Sequence, residues 1–253
     1  MKKRKRISRT KNLNKPDAIR VVPLHHPAIA VPAKATLTYR GGPLLSSVQV
    51  FTIFWGNKWT ASLELTKQIN QFFATILGSP LIDQLGEYSV AGQSIGHGSF
   101  IGTKVIAANA PKTSVTDSAI QSQLKKWVSS KMIPKNNSNS LYFIYLDPGV
   151  ASVMGGSRSC QSYCGYHNNV GSIYYAVMPY PGCAGCLGGL QVFDALTGTS
   201  SHELCEAITD PIPGTGWYDD SNGEIGDICA WQFKPLAGFT IQLEWSNQQG
   251  KCV

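Results

Sequence analysis

The chain has 253 residues, 43% of them hydrophobic and 15% charged, with a formal net charge of +7. That length is enough to bury a substantial core, and so little charge argues against disorder or coiled coil for the bulk of the chain. No apolar stretch approaches the ~20 residues of a membrane-spanning helix, so no membrane span is expected.

The charge is concentrated at one end. Residues 1–20 hold Lys2, Lys3, Arg4, Lys5, Arg6, Arg9, Lys11, Lys15 and Arg20 against Asp17 alone, a net +8 that leaves the remainder at −1. Like charges repel and stay solvated, so residues 1–36 read as a disordered basic tail and linker, punctuated by Pro16, Pro23, Pro27 and Pro32. No basic patch continues into the body, so no nucleic-acid partner is expected. No apolar run of signal-peptide length follows the positive residues.

Residues 37–253 read as one α+β domain. Ser47–Trp55 is β-branched and aromatic on both faces, which predicts a central strand. Thr60 is placed to cap a helix whose apolar side chains run to Leu77, and Gly78-Ser79-Pro80 ends it. A short helix over 80–86 follows, then Gly-rich strands and a hairpin over 88–107. Thr116 or Asp117 starts a helix to Lys131 with Ile120, Leu124, Trp127 and Val128 on one face. Leu141–Leu146 and Ser172–Met178 read as buried strands. Residues 190–208 read as mainly helical with a break at Gly198, and Phe239–Trp245 as a late strand. Strands and helices do not alternate regularly, which implies a mixed sheet with packed helices.

One segment carries the chemistry: Ser201-His202-Glu203-Leu204-Cys205-Glu206. On a helix capped by Ser201, His202 and Glu206 lie four apart on one face and reach a common divalent cation. Glu203 then sits beside the metal, as in H-E-x-x-H zinc hydrolases, with Glu in the second ligand slot. Such an ion acidifies a bound water, and Glu203 is the general base that takes its proton. Catalytic zinc usually takes three protein ligands. Glu224 is the first choice for the third; Asp210, Asp227 and His167 are its rivals. Tyr218 is a candidate oxyanion donor. The loop Asp220-x-Asn222-Gly223-x-Ile225 half-resembles a calcium loop, with Tyr218 and Cys229 wrong at its ends. Zinc is therefore the expected cofactor and calcium the alternative. The spacing has a plainer reading too, a surface helix with scattered carboxylates.

Several motifs, in order, carry a family resemblance: Tyr39-Arg40-Gly41-Gly42-Pro43-Leu44-Leu45, the strand end Phe54-Trp55-Gly56, Cys160-x-x-x-Cys164-Gly165-Tyr166-His167, Cys183-Ala184-Gly185-Cys186, and the helix and loop through Cys229. The chain resembles bacterial members of the EXORDIUM/phosphate-induced protein family over roughly residues 37–230. Plant members are secreted, cell-wall-associated and often lack the His-Glu pair; the intact pair here is similar to members suspected to be metallopeptidases. The resemblance implies an extracellular or cell-surface protein.

All seven cysteines lie in the last 94 residues, a clustering that suggests disulfides or a metal site. Cys205 reads as a small buried side chain. The resemblance to secreted proteins favours disulfides among Cys160, Cys164, Cys183, Cys186, Cys229 and Cys252. The alternative is a structural zinc on Cys160, Cys164, Cys183 and Cys186.

Two functions from different classes follow. The first is a zinc-dependent hydrolase of zincin-like architecture, most plausibly a metallopeptidase with a peptide or protein substrate. A Glu206–Glu224 ligand pair would make its bound water less acidic and shift its optimum to alkaline pH. The second is a non-catalytic extracellular binding module for a glycan or cell-surface partner, with a structural metal ion and Trp217, Trp231 and Trp245 as a stacking surface.

Overall fold

The computed structural model describes residues 21–25 and 35–253. Most of the basic tail expected over 1–36 lies outside those residues.

A six-stranded mixed sheet organises the chain. Its strands are β1 (Val21–Pro23), β2 (Gln49–Trp55), β3 (Ser99–Ile106), β4 (Ser140–Leu146), β5 (Tyr163–Val170) and β6 (Ile173–Met178), in the spatial order β1-β5-β6-β4-β2-β3. β3, β2, β4 and β6 are mutually parallel; β5 runs antiparallel to β6, and β1 antiparallel to β5. β2 and β4 are buried along almost their whole length, as expected of strands covered on both faces.

Five helices accompany the sheet: α1 (Leu63–Ile76), α2 (Pro80–Leu85), α3 (Asp117–Ser129), α4 (Ala184–Leu187) and α5 (Val192–Thr209). α1, α2 and α5 cover one face, where Phe72, Phe73, Ile82 and Leu204 join Val50, Phe54, Phe143 and Tyr145 in one core. α3 covers the other, where Ile120, Leu124 and Trp127 meet Ile53, Trp55, Tyr142 and Ile144. The side chains of β2 and β4 alternate between the two cores, as a period of two requires. The hairpin β7 (Phe233–Leu236) with β8 (Phe239–Gln242) packs on α5.

Several local expectations change. The first long helix starts at Leu63 rather than Thr60, after a separate 3₁₀ turn over Lys58–Ala61. The Gly-rich 88–107 stretch yields a single long strand, β3, and a minimal antiparallel hairpin bridge between Val90 and Gln93 rather than a set of strands. The late strand stops at Gln242, and Trp245–Ser246 pairs instead with Lys251–Cys252. Val21–Pro23, read as linker, is a strand. α5 is continuous through Gly198, and Ser201 is an interior residue rather than its cap. The Gly198 position admits the Phe233 ring, whose nearest atom would lie 2.7 Å from a Cβ there. Ser201 Oγ donates to Gly198 O and accepts from Gln242 N, tying α5 to β8. Packing on both sides thus overrides the weak helix propensity of the Thr197–Ser201 run.

Cys160–Cys183, Cys164–Cys186 and Cys229–Cys252 are disulfides, and Cys205 is free and buried. The four sulfurs weighed as a structural zinc site are therefore spent on two bridges.

Candidate metal centre

α5 is buried on every side from Ala195 to Thr209, so its polar side chains have nowhere to go but inward. His202 Nε2 stands 2.9 Å from Glu206 Oε1, one turn along the helix. Asp227 joins them from a 3₁₀ turn, Asp227–Cys229. Its Oδ1 is 4.0 Å from His202 Nε2, and its backbone N–H donates to Glu206 Oε1 at 3.1 Å. The loop comes this close because residue 226 is glycine: a Cβ there would lie 2.8 Å from His202 Nδ1.

Gln242, on β8, holds the far side of the imidazole. Its amide donates to His202 Nδ1 at 2.8 Å and to Gly226 O at 3.0 Å, while its oxygen accepts from Trp231 N. In a neutral ring these bonds place the proton on Nε2; burial favours that form, but the Glu206 charge and hydrogen bond raise the His202 pKa well above an imidazole's ordinary value. Ligation at Nε2 requires the proton on Nδ1, with the Gln242 amide turned about.

A second group lies against the first. His167 on β5 faces α5. Its Nδ1 meets Glu203 Oε2 at 3.1 Å and Glu206 Oε2 at 3.4 Å, and its Nε2 donates to Asp210 O at 3.1 Å. Burial alone would keep this imidazole neutral. Hydrogen bonds and charge from Glu203 and Glu206 outweigh burial and lift its pKa to about 10. Both nitrogens are thus donors, and His167 forms an ion pair with Glu203. Glu206 sits between the two imidazoles. Burial opposes its ionisation, but the His202 charge and hydrogen bonds from both imidazoles hold its pKa at about 2.

Among the described residues, and apart from the disulfide-bonded Cys160, Cys183 and Cys186, two sets of side chains bring ligand atoms within 4.8 Å of one another: His202, Glu206 and Asp227, and His167, Glu203 and Glu206. Neither Glu224, the first choice from sequence, nor Asp210 belongs to either. Glu224 lies 3.6 Å from His167 Nε2. Burial, then the charges of Glu206 and Asp210, push its pKa well above the ordinary carboxylate value, and burial followed by the Glu206 charge does the same for Asp227. The Asp210 carboxylate accepts from the backbone N–H groups of Gly214, Thr215 and Gly216 and shapes that loop. Tyr218 pairs with Thr38 in a two-stranded ribbon, its ring 4.4 Å beneath the Arg40 guanidinium.

The donor set fits a cation. Glu203, Glu206, Asp210, Glu224 and Glu244 are fully buried and Asp227 nearly so, with two imidazoles among them. So many buried carboxyls need protons or a cation for company. Glu203 Oε1 and both oxygens of Glu224 and Glu244 are buried without a hydrogen-bond partner. The calcium-loop reading has less support. The Asp220 carboxylate is bound by Arg40 at 2.7 Å, and Asp219 Oδ1 accepts from Ser221 and Asn222 within its own loop. The three tryptophans are spent on packing: Trp217 on Tyr39 and Tyr88, Trp231 on His25 and Phe233, and Trp245 in the core.

Sequence reasoning did not single out Gln242, and it held Asp227 as a rival to Glu224 for a third ligand. The only signal for Asp227 is its place three residues after Glu224 in a loop with glycines at 223 and 226. The chain matches no protein-family model and no curated protein.

Proposed function

We propose that the chain is a zinc-dependent hydrolase acting on peptide bonds, with His202, Glu206 and Asp227 as metal ligands and Glu203 as general base. The observation that supports the reading is the convergence of His202 Nε2, Glu206 Oε1 and Asp227 Oδ1, with the imidazole nitrogen 2.9 Å from one carboxylate and 4.0 Å from the other and the set sealed or nearly sealed from solvent. The resemblance to the EXORDIUM family points the same way. A zinc ion in this set would polarise the substrate carbonyl and acidify an attacking water.

The chain's own groups then divide the work. Glu203 Oε2 is fixed by His167 Nδ1, and His167 is fixed by Asp210 O, so strand and helix aim one carboxylate. Glu203 Oε1 is left open to take the water proton. The water oxygen bonds to the carbonyl carbon, the C–N bond breaks, and the same proton passes from Glu203 to the departing nitrogen. Elemental analysis of protein purified without added metal, with a peptide-library digest with and without chelator, tests the reading. Cleavage that survives chelation ends it.

A second reading rests on the complete burial of the ligands, which suits a structural ion in an extracellular binding module. The three disulfides are consistent with an extracellular protein, and no helix among the described residues is long and apolar enough to cross a membrane. Glu203→Gln separates the two readings, because only the enzyme needs that carboxylate.

A further inference from the structure

We propose that the outer edge of β5 is a docking groove for an extended peptide strand, and that Val21–His25 fills it as an internal occupant. The substrate class rests on the peptidase reading; the groove itself does not.

β1 is only three residues long, yet among the described residues it is the one strand paired with that edge of the sheet. Val21 pairs with Tyr166, Val22 with Gly165 and Pro23 with Tyr163, with a register shift after Val22. A strand held this way is β-augmentation: backbone bonds give affinity and alternate side chains enter pockets. The pockets are present. Val22 is buried in a small cluster with Cys164, Cys186 and Trp231. Leu24 lies over Gly185, where a Cβ would be 3.2 Å from its Cδ2. The His25 ring meets Trp231 edge-on at 5.1 Å. Two bonds beyond the strand fix the segment: Trp231 Nε1 donates to Pro23 O at 2.9 Å, and His25 N to Gly185 O at 2.8 Å. Trp231 adopts φ 66°, a left-handed conformation that is strained for a bulky residue and collects at ligand clamps. The Cys160–Cys183 and Cys164–Cys186 bridges brace the wall that carries Gly185.

The groove runs over the candidate centre. β1 approaches β5, α5 and the turn Asp227–Cys229, and these three elements carry His167, then Glu203 and Glu206, then Asp227. A Cβ on Gly165 would lie 3.3 Å from Glu203 Oε1. The residue of a docked strand that pairs with Gly165 therefore arrives beside the general base. In this chain that residue is Val22.

The test uses the full chain and a fluorescent form of the peptide acetyl-Val-Val-Pro-Leu-His-amide. Tethered Val21–His25 competes at an effective concentration in the millimolar range. Val22→Asp places a carboxylate in an apolar pocket and releases the tether. The probe should then bind at least about 10-fold tighter than to the parent chain, and equally well when His202→Ala is added. Leu24→Asp should do the same and serves if Val22→Asp does not fold. Tighter binding with faster cleavage of extended peptides supports both groove and peptidase. Tighter binding with no cleavage in the presence of zinc keeps the groove and removes the peptidase. Unchanged probe binding in both variants overturns the groove, even with cleavage intact. Loss of the fold in both marks β1 as structural and also overturns it.

Discussion

His167 and Glu203 form an ion pair across two elements, Nδ1 on a sheet strand to Oε2 on a helix at 3.1 Å, with both side chains sealed from solvent. The pair leaves Glu203 one free oxygen and fixes where it points. Glu203→Gln should keep its metal and fold and lose about 10²- to 10⁴-fold in kcat, the usual size of a general-base contribution. Steady-state rates beside metal content check this. Undiminished turnover would remove Glu203 from the chemistry.

The two ligand sets make opposite predictions for the two histidines. His202→Ala should abolish tight zinc binding, because its Nε2 is the nitrogen that faces both Glu206 and Asp227. His167→Gln should retain zinc, because both His167 nitrogens are occupied as donors. Titration with a competing chelator reads both. The reverse pattern would transfer the centre to His167, Glu203 and Glu206.

Gly226 is predicted to matter as much as a ligand. A methyl there meets the His202 ring at 2.8–2.9 Å, whereas Gly78 has nothing within 4 Å of its absent Cβ. Gly226→Ala should cost about 1–3 kcal/mol in urea unfolding, as overpacking does, and weaken zinc binding. Gly78→Ala should change neither. Equal behaviour of the two variants would contradict the close contact.

Much of the fold is legible in sequence because its signals are local. β2, β4 and β6 are dense in β-branched and aromatic residues, and Thr116 caps α3 with its own side chain. β5 is illegible for the opposite reason. Gly165, His167, Asn168 and Asn169 have poor strand character, and the ladder to β6 makes them a strand. The i,i+4 pair His202–Glu206 is legible on any helix. The approach of Asp227 to within 4.0 Å of His202 is not, because the path of a glycine-bearing loop decides which carboxylate comes near that imidazole.

The Cys229–Cys252 bridge ties the loop carrying Asp227 to the C-terminal strand, across 23 residues of chain. Closing a loop of that size restricts the unfolded chain by about 3 kcal/mol. Replacing both cysteines by serine should lower unfolding stability by about that amount and loosen zinc binding, read by urea titration and chelator competition. A shift in stability alone would separate the loop's anchoring from the centre.

Buried tyrosines predict an alkaline limit. Burial holds the Tyr142 hydroxyl up at about 12 and raises Tyr163, Tyr166 and Tyr174 as well. Tyrosines of the unfolded chain ionise near 10. Between pH 10 and 12 the unfolded state sheds protons that the folded state keeps, so stability is full below 10 and falls as pH rises. Tyrosinate absorbance should rise together with loss of structure, and Tyr142→Phe should flatten the decline. Ionisation well before unfolding would argue against the buried hydroxyls.

Cys205 gives the order of assembly a direction. It lies in the middle of α5, fully buried, and burial followed by the nearby Glu244 charge keeps it a thiol rather than a thiolate. A protonated, inaccessible sulfur does not attack a disulfide. Before α5 docks, seven thiols compete for partners during oxidation; afterwards six remain, and they lie next to their correct mates. Docking of α5 thus takes one thiol out of the exchange and leaves the six that form the three bridges.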